Sequence, residues 1–413
     1  MVIRKRVYCF IEGLHSILSQ FNLYLMTAEQ IQPIAPSKRI AIIDMLRGWA
    51  LLGVVLMNYS DIFWIGRPYD PKYNPDMLTN ILQYSGSFLF AAKSWTMLSL
   101  LFGYGFAVLI RNVANKGINP VKFFTIRMFW LFVIAFVNCM FWWGDILKDY
   151  ALMGLILLFF YKMKPKPAFI LCIVLFLALP AIAPLVNKMP YNGEERFNKL
   201  LPLYHSHNII DNFKFNLVGT YEREVKMPAY AITVHLTMLL CFLLGYSAQR
   251  INFFENLAGH KKYLKRVFWY TLVLTILLTV FFITGQKLKW TYYRYINLRY
   301  PAILIMMLFT VSALGWLYIN GKLKAFFRSL ENIGKMTLTN YMVQNIILFF
   351  VFGGVGLNLG NTMPYWFYLA FPLGIYIIQV YFSKWWLSRY NYGIVEWIWR
   401  QLSYNKRLPL RKS

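Results

Sequence analysis

The chain has 413 residues, 59% of them hydrophobic, 19% aromatic and only 14% charged, with a mean hydropathy of +0.47. That composition excludes a soluble domain with a polar surface and indicates a polytopic membrane protein. The formal net charge of +27 would suggest nucleic acid in a soluble chain, but here the basic residues cluster in short loops between apolar spans. The positive-inside bias accounts for them, and no nucleic-acid partner is expected.

Residues 1–38 are basic with weak apolar stretches. They lack the compact apolar core and small-residue cleavage site of a signal peptide, and Met26 opens a second plausible start. The segment reads as an over-extended start or a loose interfacial helix.

The first span, Ile40 to Asp61, is apolar and long enough to cross a bilayer, yet it carries Asp44, Arg47 and Asn58. At ~100° and ~1.5 Å per residue, Arg47 and Asn58 lie about three turns apart and within roughly 20° of one another, with Asp44 one turn before Arg47. A polar line thus runs along one helix face. A charge in hydrocarbon costs ~2.5–3.5 kcal/mol on insertion scales, so such residues face a bundle interior or a wet cavity. An interfacial Asp44–Arg47 pair that fixes helix depth explains the spacing equally well.

Further spans are predicted near 88–110, 123–142, 146–161, 167–186, 228–248, 267–285, 301–319, 336–352 and 364–383. A short helical approach over 79–92 precedes the second. Lys38 and Arg39 place the N-terminus inside, and the later inside loops hold four, three, five and four basic residues. The expectation is an all-α transmembrane bundle of about ten spans, one domain over 39–404 and a basic tail over 405–413. Both termini are then cytoplasmic.

The outside loop 62–78 is broken by Pro68, Pro71 and Pro75. A longer outside segment, 187–227, holds His205 and His207, whose i, i+2 spacing is weak evidence for a metal; none is expected. The loop 286–300 departs from the charge bias, with Lys287, Lys289, Arg294 and Arg299 among tyrosines. Snorkelling in an aromatic belt explains it best; docking of an anionic headgroup or glycan is the alternative. Cys9, Cys139, Cys172 and Cys241 show no metal-ligand spacing and read as packing residues. Gly103 and Gly105 suit close helix packing.

Five stretches occur in order: DMLRGWALLGVVLMN, SLLFGYGFAVLIRN, WWGDILKDYALMGL, GKMTLTNYMVQNII and RYNYGIVEWIWRQLSY. Together they resemble the YeiB-like family of bacterial inner-membrane proteins over nearly all of residues 39–404. The front half is in turn distantly similar to the heparan-α-glucosaminide acetyltransferase group, which moves an acetyl group from cytosolic acetyl-CoA to a sugar amine across a membrane. The shared element is D-x-L-R-G…N, onto which Asp44, Arg47, Gly48 and Asn58 map. The resemblance implies an active-site role for Asn58. The histidine that follows it in those enzymes is absent from YSDIFWIGRPYD here. A histidine common before the G-D-I-L motif is likewise replaced in the neighbourhood of Asn138, and Ile394 takes a usual proline position.

Acyl transfer needs a base near the nucleophile and donors for the oxyanion. Asp61 and Asp145 both fall near the outer ends of their helices and are candidates for that base, with Asn58 an oxyanion donor one turn from Asp61. His235 is the only histidine embedded in a span, which makes it a further catalytic candidate. Thr337, Asn340, Tyr341 and Gln344 share one face of span nine and are expected, with Asp44 and Arg47, to line a substrate passage, unless they serve interhelical hydrogen bonding. Glu396 and Arg400, at i, i+4, read as an interfacial clamp. The expected activity is transfer from cytoplasmic acyl-CoA, a co-substrate and not a resident cofactor, to an extracytoplasmic glycan, lipid or small acceptor. Transport of a small polar or amphipathic solute without chemistry is the alternative. Membrane lipids are expected partners, and a homodimer is compatible with the sequence.

Overall fold

The computed structural model describes residues 40–67 and 75–412. The segment 1–38 with its second start, the inside-setting Lys38 and Arg39, Cys9, Pro68 and Pro71 all lie outside the described residues. Among these residues the chain is helical, apart from one isolated bridge between Tyr390 and Arg411.

In chain order the main helices are α1 (Ala41–Ile62), α2 (Met77–Leu89), α3 (Lys93–Ala114), α4 (Pro120–Cys139), α5 (Leu147–Leu157), α6 (Pro165–Asn187) and α7 (Ile209–Tyr221). They continue with α8 (His235–Arg250), α9 (Lys261–Lys287), α10 (Arg299–Ile319), α11 (Lys324–Gly334), α12 (Thr337–Phe352), α13 (Phe367–Arg389) and α14 (Ile394–Tyr404).

Among the described residues, seven stretches are long and apolar enough to cross a membrane: α1, the pair α2–α3, α4, α6, the run Ala229–Arg250, α9 and α10. The ten predicted spans include three that fall short of this. Helix α5 has 11 residues before a 3-10 turn and α12 has 16, roughly 17 and 24 Å against a hydrocarbon core of about 30 Å. Helix α13 has the length, but Pro372 lies inside it and Gln379, Ser383 and Lys384 make its second half polar. An unbroken apolar run in sequence does not reveal where the helix stops.

Helix α1 is enclosed on almost every turn, whereas α9 buries only Leu264, Thr271, Thr275 and Gly285. The first helix is therefore the axis of the bundle and α9 is its periphery. Close crossings surround that axis. A Cβ on Gly334 would lie 1.8 Å from the Asp44 carbonyl oxygen, and one on Gly48 would lie 2.2 Å from that of Leu330, so α11 crosses α1 backbone to backbone. Gly103 and Gly245 do the same for α3 and α8, the small-residue packing that membrane helices use. Tyr376 Oη donates to Gly48 O at 2.7 Å and Tyr59 Oη to Gln344 O at 2.7 Å, tying α13 and α12 to α1.

Two ends can be distinguished by their contacts. At the basic end, Arg111 bonds Asn252 and Glu255, and Tyr246 Oη donates to Tyr161 O and Met163 O. Asp44 and Arg47 lie there too. At the opposite end Arg67 bonds Asn361 and the turn after α4 meets α7. The basic, tyrosine-rich loop 286–300 is anchored there: Pro184 has no N–H to give Pro180 O, and Asn297 N takes that carbonyl at 2.9 Å instead.

The α2–α3 break falls at Ala92, which adopts φ +59°. The Lys93 ammonium turns back onto the carbonyls of Ser87 (2.7 Å) and Ala91 (3.2 Å), a cation at a helix C-terminus.

Candidate functional site

The site grows from the tight turn Trp143-Gly144-Asp145 between α4 and α5, which the sequence places there. Two polar side chains of α7, Asn216 and Thr220, grip that turn through three hydrogen bonds. Trp143 N donates to Asn216 Oδ1 at 3.1 Å, Asn216 Nδ2 to Met140 O at 2.9 Å, and Thr220 Oγ1 to Trp143 O at 2.9 Å. Asp145 is fully buried. Its carboxylate accepts from Asn138 Nδ2 at 2.7 Å and from the first N–H groups of α5, Leu147 at 3.1 Å and Lys148 at 3.3 Å. Burial raises its pKa, against the pull of Lys148 and Asn138. The expected shared vestibule base is thus an enclosed cap of α5.

Beyond α7 the chain does not run straight into a span. It passes through a π-helical turn, Glu222–Lys226, then Pro228, then a second π-helical segment, Ala229–Val234, before α8. This irregular path swings Arg223, Glu224, Tyr230 and His235 against α5. The Lys148 ammonium, its side chain 11% exposed, forms an ion pair with Glu224 Oε2, lies 3.9 Å from Asp149 Oδ1 and donates to Asp145 O. Asp149 in turn accepts from Tyr230 Oη at 2.9 Å and lies 3.5 Å from His235 Nε2.

His235 is a constrained catalytic candidate. Its Nδ1 meets Ala231 O at 3.0 Å, so both ring nitrogens face acceptors.

Glu224 is placed differently. Its Oε1 is buried with no hydrogen-bond partner among the described residues. Burial and the charge of Asp149 push its carboxyl up to about 8, although Lys148 and Arg223 pull the other way. Near neutral pH it therefore takes up and releases a proton readily.

Arg223 sits between this cluster and α1. Its guanidinium lies 4.7 Å from the Trp143 ring centre and 5.1 Å from that of Tyr230. A Cβ on Gly144 would come within 2.7 Å of Arg223 Nη1, so glycine there leaves the guanidinium its room. Asp61, exposed at the end of α1, is within electrostatic range of Arg223. Asn58, one turn earlier, is half-buried. Asn58, Asp61, Asp145 and His235 are thus brought to one end of the bundle, with Arg223 as the link.

The other expected site residues lie elsewhere. Asp44 is buried and Arg47 half-buried at the basic end, paired at 3.4 Å. Asn340 (2% exposed) and Gln344 (1% exposed) are enclosed in a seam between α12 and α13. Asn340 Nδ2 donates to Ser383 Oγ at 3.0 Å, Gln344 Nε2 to Gln379 Oε1 at 2.7 Å, and Gln379 Nε2 to Asn340 O at 3.0 Å. Thr337 Oγ1 donates to Gly334 O at 2.6 Å, and Tyr341 is buried near Asp145. Asn340 and Gln344 thus make interhelical hydrogen bonds.

Glu396 also has a different partner from the expected Arg400. It accepts from Leu338 N at 2.7 Å, Thr339 N at 3.1 Å and Thr339 Oγ1, while Thr339 Oγ1 accepts from Val395 N at 3.0 Å. Two helix N-termini thus cap each other, and Arg400 lies over the Tyr392 ring at 4.9 Å. His205 and His207 bond to Asn358 Oδ1 (3.1 Å) and Gly354 O (2.9 Å) in the loops of the opposite end.

Sequence reasoning passed over Lys148, Asp149, Arg223, Glu224 and Tyr230 as site residues. A signal was present: Lys148 and Asp149 are opposite charges inside a predicted span, and Glu222-Arg223-Glu224 stands just before Pro228 at the start of another.

The comparisons with known proteins agree with these motifs. A family described as a protein of unknown function (DUF418) matches residues 248–406, which contain the polar seam and the reciprocal cap. The chain is 27% identical over 418 residues to the uncharacterized protein YxaH of Bacillus subtilis, covering 93% of this chain and 98% of the relative. It is 25% identical over 399 residues to the uncharacterized protein YeiB of Escherichia coli, covering 89% and 96%. The chain is thus similar to YeiB-like proteins over most of its length. An uncharacterized 39.9 kDa protein from the amylase 3′ region of Bacillus acidopullulyticus is similar as well, 27% identical over 388 residues. YeiB-like sequences therefore pair with this chain along almost their full length, including the segment that carries the buried charges.

Proposed function

We propose that the protein is a membrane-embedded acyltransferase. It takes an acyl group from acyl-CoA at the basic end, cytoplasmic by the positive-inside bias, and delivers it to an acceptor at the opposite end. Ten membrane-crossing or membrane-entering segments in a bacterial inner membrane, with both termini inside, complete this reading.

The observation that carries it is Glu224: a buried carboxyl pushed up to about 8, held by Lys148 and followed across the site by Arg223 and Asp61. General-base catalysis works best with a pKa near the working pH. The acceptor's hydroxyl or amine attacks the thioester carbonyl, a C–O or C–N bond forms and the C–S bond breaks. The acceptor's proton passes to Glu224, and the departing CoA thiolate takes a proton from water. Arg223 supplies positive charge for the developing oxyanion, and Asn58, whose side chain makes no hydrogen bond to other described residues, is free to donate to it. The D-x-L-R-G…N resemblance in α1 supports the acyl-CoA side, with Arg47 the cation nearest the polar line.

Acetyl-CoA binding to the purified protein, measured by calorimetry, tests this. Arg47→Ala should weaken binding about tenfold, a loss of about 1.4 kcal/mol, while Glu224→Gln should keep binding and lose transfer to an amine acceptor. No affinity of the unaltered protein for acetyl-CoA would overturn the reading.

One observation favours a second reading. The broken helix around Pro228 beside buried charges is also how transporters build a coupling site. Under that reading, vesicles holding the protein take up solute in response to a proton gradient, Glu224→Gln abolishes uptake, and acyl-CoA does not bind.

A further inference from the structure

A cleft of about 770 Å³ opens at the end of the bundle opposite the basic loops, between residues 190–200 and the end of α7. We infer that this cleft is a binding site for a neutral sugar, the acceptor of the proposed transfer; the acceptor role, though not the binding, rests on that reading.

Charge excludes the simpler ligands. Arg196 Nη1 lies 3.3 and 3.1 Å from the two carboxylate oxygens of Glu222, and Lys199 Nζ lies 2.7 Å from Glu195 Oε1. Two cations and two carboxylates thus neutralise each other within the lining, which leaves no net charge to select an anion or a cation. What remains is a ring of paired donors and acceptors, joined by Asn192, whose Nδ2 donates to Glu195 Oε2 at 2.9 Å. Beside this ring stands the aromatic ring of Tyr191, half-buried and fixed by a 2.9 Å bond from its Oη to Glu222 O. Polar groups in this number around a fixed aromatic ring suit a ligand that is polyhydroxylic on its edge and apolar on its face. The volume suits one or two hexose rings.

The cleft is also joined to the candidate site. Glu222 lines it, and the next two residues are Arg223 and Glu224. Phe197, between Arg196 and Asn198 on the short helix Gly193–Asn198, packs on Trp143 with ring centres 5.2 Å apart. Trp143 is the residue over which Arg223 lies. A sugar seated against Tyr191 would therefore stand at the edge of the proton-handling cluster. A second hollow, along Met77, Ile81, Tyr84 and Phe88 of α2, is open and apolar and offers no comparable set of groups.

The test is saturation-transfer NMR on the full-length protein in detergent, without acyl-CoA, using glucose, N-acetylglucosamine and maltose as probes and inorganic phosphate and choline as charged comparators. Signal transfer to at least one sugar, weakened about fivefold or more by Tyr191→Ala and by Arg196→Ala, is the expected result. Lys214→Ala, outside the cleft, should leave it unchanged. No transfer to any sugar, equal binding by the Tyr191→Ala protein with a native melting profile, or preference for phosphate or choline would overturn the inference. Sugar binding without acyl transfer would sink the acyltransferase reading and leave the cleft assigned.

Discussion

Glu224 and Lys148 form an ion pair between the π-helical turn before Pro228 and the first turn of α5. The lysine is shared with Asp149, so the carboxylates compete for it. Burial raises the Glu224 pKa from 4.5 to about 8. The folded protein then holds a proton that the unfolded chain has released, and Glu224 contributes stability that is full below pH 4.5 and is lost as pH rises to about 8. The melting temperature in detergent should fall across that window, and Glu224→Gln, which cannot ionise, should flatten the fall.

Lys148→Met removes the cation that Asp149 and Glu224 share. Breaking a buried pair costs about 3–5 kcal/mol because a charge is left without compensation. The double variant Lys148→Met/Glu224→Gln should recover part of that loss, so a double-mutant cycle of melting free energies should give a favourable coupling of more than about 0.5 kcal/mol.

The α1–α11 crossing depends on having no side chain at Gly334, where a Cβ would meet the Asp44 carbonyl at 1.8 Å. Gly334→Ala should destabilise by about 1–3 kcal/mol, as overpacking does, and displace the Asp44–Arg47 pair. Gly374→Ala on α13 is the control, because nothing lies within 4 Å of a Cβ there. Thermal melting of the two variants side by side distinguishes a specific clash from a general intolerance of substitution.

Glu396→Ala takes three hydrogen bonds from the start of α12 and should cost about 1–3 kcal/mol. Thr339→Val removes the opposite half of the cap. The two losses should be markedly less than additive when combined, since each residue acts through the other. Equal, additive losses would show that the two caps work independently.

The membrane class and the turn at Trp143-Gly144-Asp145 were legible because each is local: composition, and a glycine between two apolar runs. The direction of the α12 stripe was not legible. Its partners Gln379 and Ser383 stand 35 and 43 residues later on another helix, and periodicity says that four residues share a face but not what the face meets. The same limit hid the charge cluster. Lys148 and Glu224 are 76 positions apart in the chain, and only the irregular backbone around Pro228 brings them into contact. Asp145 shows a further limit: a carboxylate at a helix end also has a local use as a cap, here for the N–H groups of Leu147 and Lys148, and sequence does not distinguish that use from a catalytic one.

The most direct test of the account uses sealed vesicles containing the protein, with radiolabelled acetyl-CoA outside and N-acetylglucosamine, a neutral sugar, inside. In vesicles whose basic end faces outward, labelled O-acetylated sugar should accumulate in the lumen, faster above pH 8, where Glu224 is ionised, than at pH 6, and Glu224→Gln should abolish it. Lumenal product formed equally fast by the Glu224→Gln protein, or no product at any pH from protein that binds acetyl-CoA and the sugar, would contradict the claim that this buried carboxyl handles the acceptor's proton.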